Sequence, residues 1–318
     1  VLFAVLITVT FGLAFNSVQS NTMSAALQSA FSIEPLNSGI VISVLTLVII
    51  FGGVHRIAAI SSVIVPVMAV GYIALALFVV LANIDRIPAV VEQIVGNAFG
   101  WHQAVGGGIG TALMQGIKRG LFSNEAGMGS APNAAATAHV THPAKQGFIQ
   151  ALGVFTDTLL ICSCTAFIIL FGEDYIGSGL DGIQLTQAAL TSEVGNIGGI
   201  YVAIATLFFA YSSILGNYYY GEANIRFFTS RQWPVVLYRM LVGGMVLFGS
   251  LASLNLVWNL ADVTMALMSI CNLIAIFLLG KYAFRLLDDY LAQKRKGIKS
   301  PVFHKEQMKD IEQDLECW

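Results

Sequence analysis

Residues 116–136 read GIKRGLFSNEAGMGSAPNAAA, and the fold turns on them. An apolar run enters this stretch from Ile109, and another leaves it toward Pro143. Between them Asn124, Glu125, Gly127, Gly129 and Pro132 fall within nine residues. In a helix interior Gly costs about 1 kcal/mol and Pro about 3 kcal/mol relative to Ala. A helix that enters here therefore breaks, near residues 123–129. Within a bilayer, irregular backbone is tolerated only where protein buries it or a watery cavity receives it. In membrane carriers such breaks mark the substrate site, because the two half-helices aim their dipole ends at it. The competing reading is a polar loop between short helices outside the membrane. The close apolar flanks on both sides favour the break.

Composition supports a membrane setting for those flanks. Of 318 residues, 56% are hydrophobic and 11% charged, where a soluble domain carries about 25% charged residues. Mean hydropathy is +0.76. Eight of the 16 Lys and Arg residues lie between Lys281 and Lys309, so the apolar part is nearly free of basic side chains. Nucleic acid is excluded as a partner on that ground; the lipid bilayer is the expected one. The four cysteines (Cys162, Cys164, Cys271 and Cys317) have neither zinc spacing nor a disulfide pattern. The chain opens on Val1 inside an apolar run, with no signal peptide, and reads as a fragment that lacks an N-terminal part.

A bilayer core demands about 20 apolar residues per helix. Eight stretches qualify as candidates: 1–20, 36–53, 57–82, 109–139, 147–171, 199–220, 234–253 and 257–281. Pro66 and Gly71 are expected to kink the third. The stretch 84–99 is amphipathic and reads as an interfacial helix. The run Gly106, Gly107, Gly108 and Gly110 leads into the broken span, and 172–196 is a polar segment with Glu173, Asp174, Asp181 and Glu193 but no Lys or Arg. The expected architecture is an all-α membrane protein of about eight transmembrane helices: a bundle over 1–281 and a tail over 282–318. Only 307–316 in the tail suggests further structure, a short acidic helix. Short-loop Lys and Arg set orientation. Arg56, Lys145, Arg226, Arg231, Arg239 and the basic tail fall on one side, and Arg86 with the acidic segment falls on the other. Val1 and Trp318 are accordingly expected in the cytoplasm.

Polar residues within spans are expensive and often functional. Gln19, with Asn16 and Asn21, either binds substrate or bonds a neighbouring helix. Phe122 with Asn124 and Glu125 marks the break, Phe122 as an apolar wall or as ordinary packing. Asp157, between Thr156 and Thr158, is a structural carboxyl or the partner of a cation or proton. Ser212 and Ser213 offer hard oxygens to a cation, or serve as helix-packing glue. Asp262 is a cap or a vestibule charge. Lys118 and Arg119 either snorkel toward the outer interface or act as an external gate.

Five stretches carry a family resemblance: RGLFSNEAGMGSAPNAAATA (119–138), FNSVQSNT (15–22), QGFIQALGVFTDTLLICSCTA (146–166), SSILGNYYYGE (212–222) and NLADVTMALMSICNLIA (259–275). Together they resemble the alanine or glycine:cation symporter family, the sodium:alanine symporters. The resemblance implies an inverted-repeat amino-acid transporter with a ten-helix core, of which these spans correspond to helices three to ten. It implies that Gln19 is the binding-site glutamine of core helix three. Phe122, Asn124 and Gly127 then match the unwound part of core helix six, and Ser213 a hydroxyl beside the sodium site on core helix eight. Where the family commonly has Trp and then Ser, this chain has Asn217 and Tyr218, so an aromatic lid is absent. Cys271 replaces a frequent Pro.

The implied activity is sodium-coupled symport of a small neutral amino acid: alanine or glycine, or a larger polar one. Carbonyls at the end of the first half-helix, near Phe122, suit an ammonium group; N–H groups from Gly129 onward suit a carboxylate. No cofactor is implied; sodium is the co-transported ion. The chain shows no H-E-x-x-H, G-x-S-x-G or phosphate-loop pattern, and so no enzyme signature. A passive channel and an inactive fragment are the alternatives.

Overall fold

The computed structural model describes residues 1–52, 54–99, 107–172, 178–308 and 310. Gly106, Glu173, Asp174, Cys317 and most of the acidic helix expected over 307–316 lie outside the described residues. Among the described residues the chain is helical, with no strand. Helix α1 is Leu2–Phe31, α2 Pro35–Phe51, α3 Val54–Ala82, α4 Ile87–Ala98 and α5 Gly107–Asn124. The short α6 is Ala131–Ala135. Then follow α7 Pro143–Phe171, α8 Gly182–Val194, α9 Asn196–Phe228, α10 Gln232–Leu251 and α11 Leu254–Arg295.

Five of these, α1, α7, α9, α10 and α11, are long and apolar enough to cross a membrane. A sixth span is possible if the pair Pro66–Ala82 and Ile84–Ala98, bent by 76°, counts as one. The gap from the expected eight has local causes. Helix α2 is apolar but shorter than the others. The third stretch continues through Pro66 and then turns sharply into the interfacial helix α4. The fourth is divided at the break. The polar segment after residue 172 is not a plain loop: α8 forms there, and its buried Gln187 donates Nε2 to Ala26 O at 3.1 Å and to Gly199 O at 3.3 Å. Helix α11 also runs 14 residues past the expected exit at Lys281, to Arg295.

The core is built on α1, α2, α9 and α10, which pack pairwise. Small residues let the backbones approach, as is usual where lipid removes the hydrophobic drive between helices. A Cβ on Gly249 would collide with Ser17 O and Ser20 Oγ, so α10 crosses α1 at this glycine. Asn21 then donates Nδ2 to Gly249 O at 2.9 Å and Ala252 O at 2.7 Å, tying α1 to the end of α10. Of the residues flagged at the first span, Asn21 is therefore helix glue. A second buried set joins α9 and α10: Glu222 accepts from Arg226 at 2.6 Å, pairs with Arg239 at 3.5 Å and receives the Tyr218 hydroxyl.

Past α11 the chain folds back. Gly297, at φ +81°, ends the helix. Phe303 N donates to Thr141 O at 3.0 Å, and Thr141 Oγ1 to Pro301 O at 2.9 Å. Phe303 is 5% exposed, against His142, whose Nε2 lies 3.0 Å from Asp289. The segment after α11 is thus strapped to the connection between α6 and α7.

Candidate substrate and ion site

The broken span is built from left-handed backbone. After α5 ends, Glu125 stands at φ +55°, Gly127 at +87° and Gly129 at +88°. Gly tolerates this region without cost, whereas a side chain crowds the following carbonyl. A Cβ on Gly129 would lie 2.6 Å from both Asn272 Oδ1 and Phe3 Cζ. Polar side chains satisfy the irregular backbone, as a bilayer requires. Asn272 Nδ2 donates to Gly127 O at 2.8 Å and Asn133 Nδ2 to Gly129 O at 3.1 Å. Asn124 Oδ1 accepts from Ala126 N at 3.0 Å. Ser130 Oγ donates to Glu125 Oε2 at 2.5 Å, across the break. The second half, α6, is a single turn of five residues. The macrodipole expected of a full half-helix is correspondingly small there.

Two further helices carry π-helical turns beside the break, a feature that recurs at functional sites. In α7 the turn is Thr156–Cys162. It presents Asp157 Oδ2 to Ser123 Oγ at 2.6 Å and Thr158 Oγ1 to Asn124 Nδ2 at 2.9 Å. Asp157 thus braces the broken segment. In α1 the turn is Thr10–Phe15, and Phe15 carries it into the site.

A cavity of about 370 Å³ lies where these elements meet, lined by residues of α1, α5, the break and α9. Gln19, Phe122, Ser213 and Asn217 line it. Asn124, Gly127 and Ser212 do not. Asn124 is spent on the α7 contact. Gly127 faces Leu273, with a hypothetical Cβ 3.6 Å from Leu273 Cδ2, so its φ and not proximity to the cavity demands glycine. Ser212 sits about 100° around the helix from Ser213. Both hydroxyls donate to Phe209 O, at 2.8 and 3.0 Å, which leaves the Ser213 lone pairs free toward the cavity.

The remaining lining residues are Phe15, Ser123, Glu125, Gly216 and Tyr220. Their signal in the sequence is periodicity. Ser213, Gly216, Asn217 and Tyr220 are spaced i, i+3, i+4, i+7, one face of a helix. Phe15 precedes Gln19 by one turn, and Ser123 and Glu125 flank the break itself. Above the cavity the rings of Phe15 and Phe122 are 4.6 Å apart, as are those of Phe122 and Trp258. Arg119 covers Trp258 at 4.0 Å and meets Asp262 at 2.5 Å; Lys118 meets the other Asp262 oxygen at 3.2 Å. Lys118, Arg119 and Asp262 therefore join one cluster, linked to the cavity-lining Phe122 through Trp258.

The sequence model of the sodium:alanine symporter family matches residues 1–305. The probable sodium/glutamine symporter GlnT of Bacillus subtilis is 55% identical over 317 residues, which cover 100% of this chain and 66% of that protein. The amino-acid carrier protein AlsT of the same organism is 52% identical over 319 residues, 100% of this chain and 68% of that protein. The sodium/alanine symporter AgcS of Methanococcus maripaludis is 39% identical over 268 residues, 83% and 59% respectively. The chain spans about two thirds of the length of the first two relatives. With apolar helices of spanning length and a family match over nearly its whole length, this multi-pass membrane chain belongs to the sodium:alanine symporter family.

Proposed function

We propose that the full-length protein is a secondary active transporter that couples sodium entry to uptake of a small neutral amino acid: alanine or glycine, or a larger polar one. The observation that carries this is the 370 Å³ cavity at the helix break, lined by Gln19, Phe122, Ser213 and Asn217 from three separate elements. In this reading Gln19, Phe122 and Asn217 contact the amino acid, and Ser213 supplies a sodium ligand. Asn124 and Gly127 act one step back, by shaping the break, and Ser212 packs. The relatives named as sodium/glutamine and sodium/alanine symporters support the coupling ion and the substrate class.

The helices are assigned to core helices three to ten of an inverted-repeat bundle that rocks around the central site. The membrane bundle covers 1–281 and lies in the bacterial cell membrane. The remainder, 282–318, faces the cytoplasm, with α11 running on out of the bilayer. The Arg119–Asp262 cluster then lies on the outer side, as a gate above the aromatic rings.

The test is uptake into liposomes reconstituted with full-length protein. An imposed inward sodium gradient should concentrate labelled alanine or glutamine, with saturation, and collapsing the gradient should stop it. Flux that neither saturates nor depends on sodium would mean a passive channel and would end this reading.

A further inference from the structure

The polarity of the cavity is set from behind by a chain of amides. Gly12 lies in the π-helical turn of α1. Asn16 Nδ2 donates to Gly12 O at 3.1 Å. A carbonyl oxygen can only accept, so Asn16 must turn its nitrogen to Gly12 and its oxygen the other way. That oxygen accepts from Asn217 Nδ2 at 3.1 Å. Asn217 is thereby oriented in turn: its nitrogen points back to α1 and its Oδ1 is left for the cavity it lines. Both side chains are buried, Asn16 completely and Asn217 at 5% exposure, so water does not compete for these bonds. The neighbouring polar groups agree in sign. The Ser213 hydroxyl spends its proton on Phe209 O, and Glu125 Oε2 accepts from Ser130 Oγ. This wall of the cavity offers acceptors.

We propose that Asn16, which itself lies behind the cavity, is a specificity-positioning residue: by holding the Asn217 carboxamide with its oxygen toward the cavity, it selects amino acids whose side chain carries N–H donors, a carboxamide above all, against a carboxylate of the same size or an apolar side chain. The inference rests on the transport reading above and adds the substrate class to it. A carboxylate brings acceptors to an acceptor wall, and an apolar side chain leaves Asn217 Oδ1 unpaired once water is expelled. A site built to hydrogen-bond a group rejects an analogue that lacks it, because its own polar atom is then stranded.

The experiment is competition by L-glutamine, L-glutamate and L-alanine for sodium-dependent uptake of a labelled substrate by the full-length protein. Wild type should favour glutamine over glutamate by roughly ten- to a hundredfold, the worth of one unmade buried contact at about 1.4 kcal/mol per decade. Asn16→Leu, with the same heavy-atom count and branching but no polar atom, frees Asn217 to present either end, and the glutamine-to-glutamate ratio should fall by roughly tenfold. A merely structural role for Asn16 would depress all three competitors alike and leave the ratio unmoved, which would overturn the proposal.

Asn16→Asp should hold the ratio within about threefold. A buried carboxyl is neutral, and its O–H can serve Gly12 while its carbonyl serves Asn217. Should Asn16→Leu fail to insert, Asn217→Leu removes the acceptor directly and must abolish the carboxamide preference; a retained preference overturns the proposal. Sodium-dependent uptake without any glutamine preference in wild type sinks this inference and leaves the transport reading standing. Absence of sodium-dependent uptake of any amino acid sinks both.

Discussion

Asp262→Asn isolates the charge of the proposed outer gate while keeping its shape. Asp262 is 15% exposed and pairs with Arg119 at 2.5 Å and with Lys118 at 3.2 Å; the two cations are 38% and 39% exposed. Two unit charges 4 Å apart attract by about 4 kcal/mol at an effective dielectric constant near 20. Solvent around the two cations and the entropy of their long side chains reduce that figure, since exposed pairs retain about 1 kcal/mol or less. The buried oxygen side of the pair raises it again. About 1–2 kcal/mol should therefore be lost from the closed state, and the open-to-closed ratio should rise roughly 5- to 30-fold. The cation–π contact of Arg119 with Trp258 survives the substitution and keeps the side chain near its place. The assay is modification of Ser213→Cys by a membrane-impermeant thiol reagent, on a background without the native cysteines. Apparent affinity for external substrate should rise as the competent state becomes commoner, while maximal uptake falls. Equal modification rates with and without the Asp262→Asn change would show that the cluster does not close the path to the cavity.

Four further outcomes are expected. Ser213→Ala should raise the sodium concentration for half-maximal amino-acid binding by roughly ten- to a hundredfold, by loss of about 1–3 kcal/mol for one polar contact, while Ser213→Thr stays near wild type; superimposable sodium titrations would make the hydroxyl packing glue. Gly129→Ala should cost about 2–4 kcal/mol, from a left-handed backbone and a Cβ 2.6 Å from Asn272 and Phe3, read as a lowered melting temperature in detergent. Gly280→Ala, with nothing near its Cβ, should be neutral or slightly stabilising in the same assay. Phe303→Ala should free the strap behind α11, by a loss of about 3–5 kcal/mol at a buried ring; limited proteolysis between Lys294 and Lys305 should accelerate while the melting of the bundle stays put.

The sequence is most legible where backbone chemistry decides structure. Gly127 and Gly129 take up left-handed backbone and the chain breaks where they stand, while Pro132 opens the short helix that follows. Hydropathy locates the long spans, because a bilayer leaves few alternatives to an apolar helix. Ser213 and Asn217 can be placed on one face by spacing alone. What stays hidden is set by tertiary contact. The π-helical turns at Thr10–Phe15 and Thr156–Cys162 leave no residue signature of their own. Within the first, Gly12 lies against the Tyr238 ring, which comes from more than 200 residues away. Helix α8 reads as a polar loop, because its stabilising residue, Gln187, is a polar side chain buried on partners from α1 and α9. The exit of α11 reads as Lys281, because hydropathy ends there although the helix does not.

The asparagines connect these irregularities to function. Where a helix ladder is interrupted at membrane depth, a carbonyl is released that costs several kcal/mol if left bare. Here such carbonyls are met by carboxamides. Asn16 takes Gly12 O, Asn272 takes Gly127 O, Asn133 takes Gly129 O, and Asn21 takes Gly249 O and Ala252 O. An asparagine that meets such a carbonyl is thus first of all structural, and by itself marks no ligand. Asn217 departs from that pattern. It lies in α9 and caps no carbonyl among the described residues; its nitrogen is held by Asn16 and its oxygen is left to the cavity. The same logic separates Asn124, which is consumed by Ala126 N and Thr158, from the residues that remain free to bind. Among these intramembrane amides Asn217 alone, of those named, lines the cavity while its nitrogen is held by another amide, which is why the proposed specificity role falls to it and to Asn16.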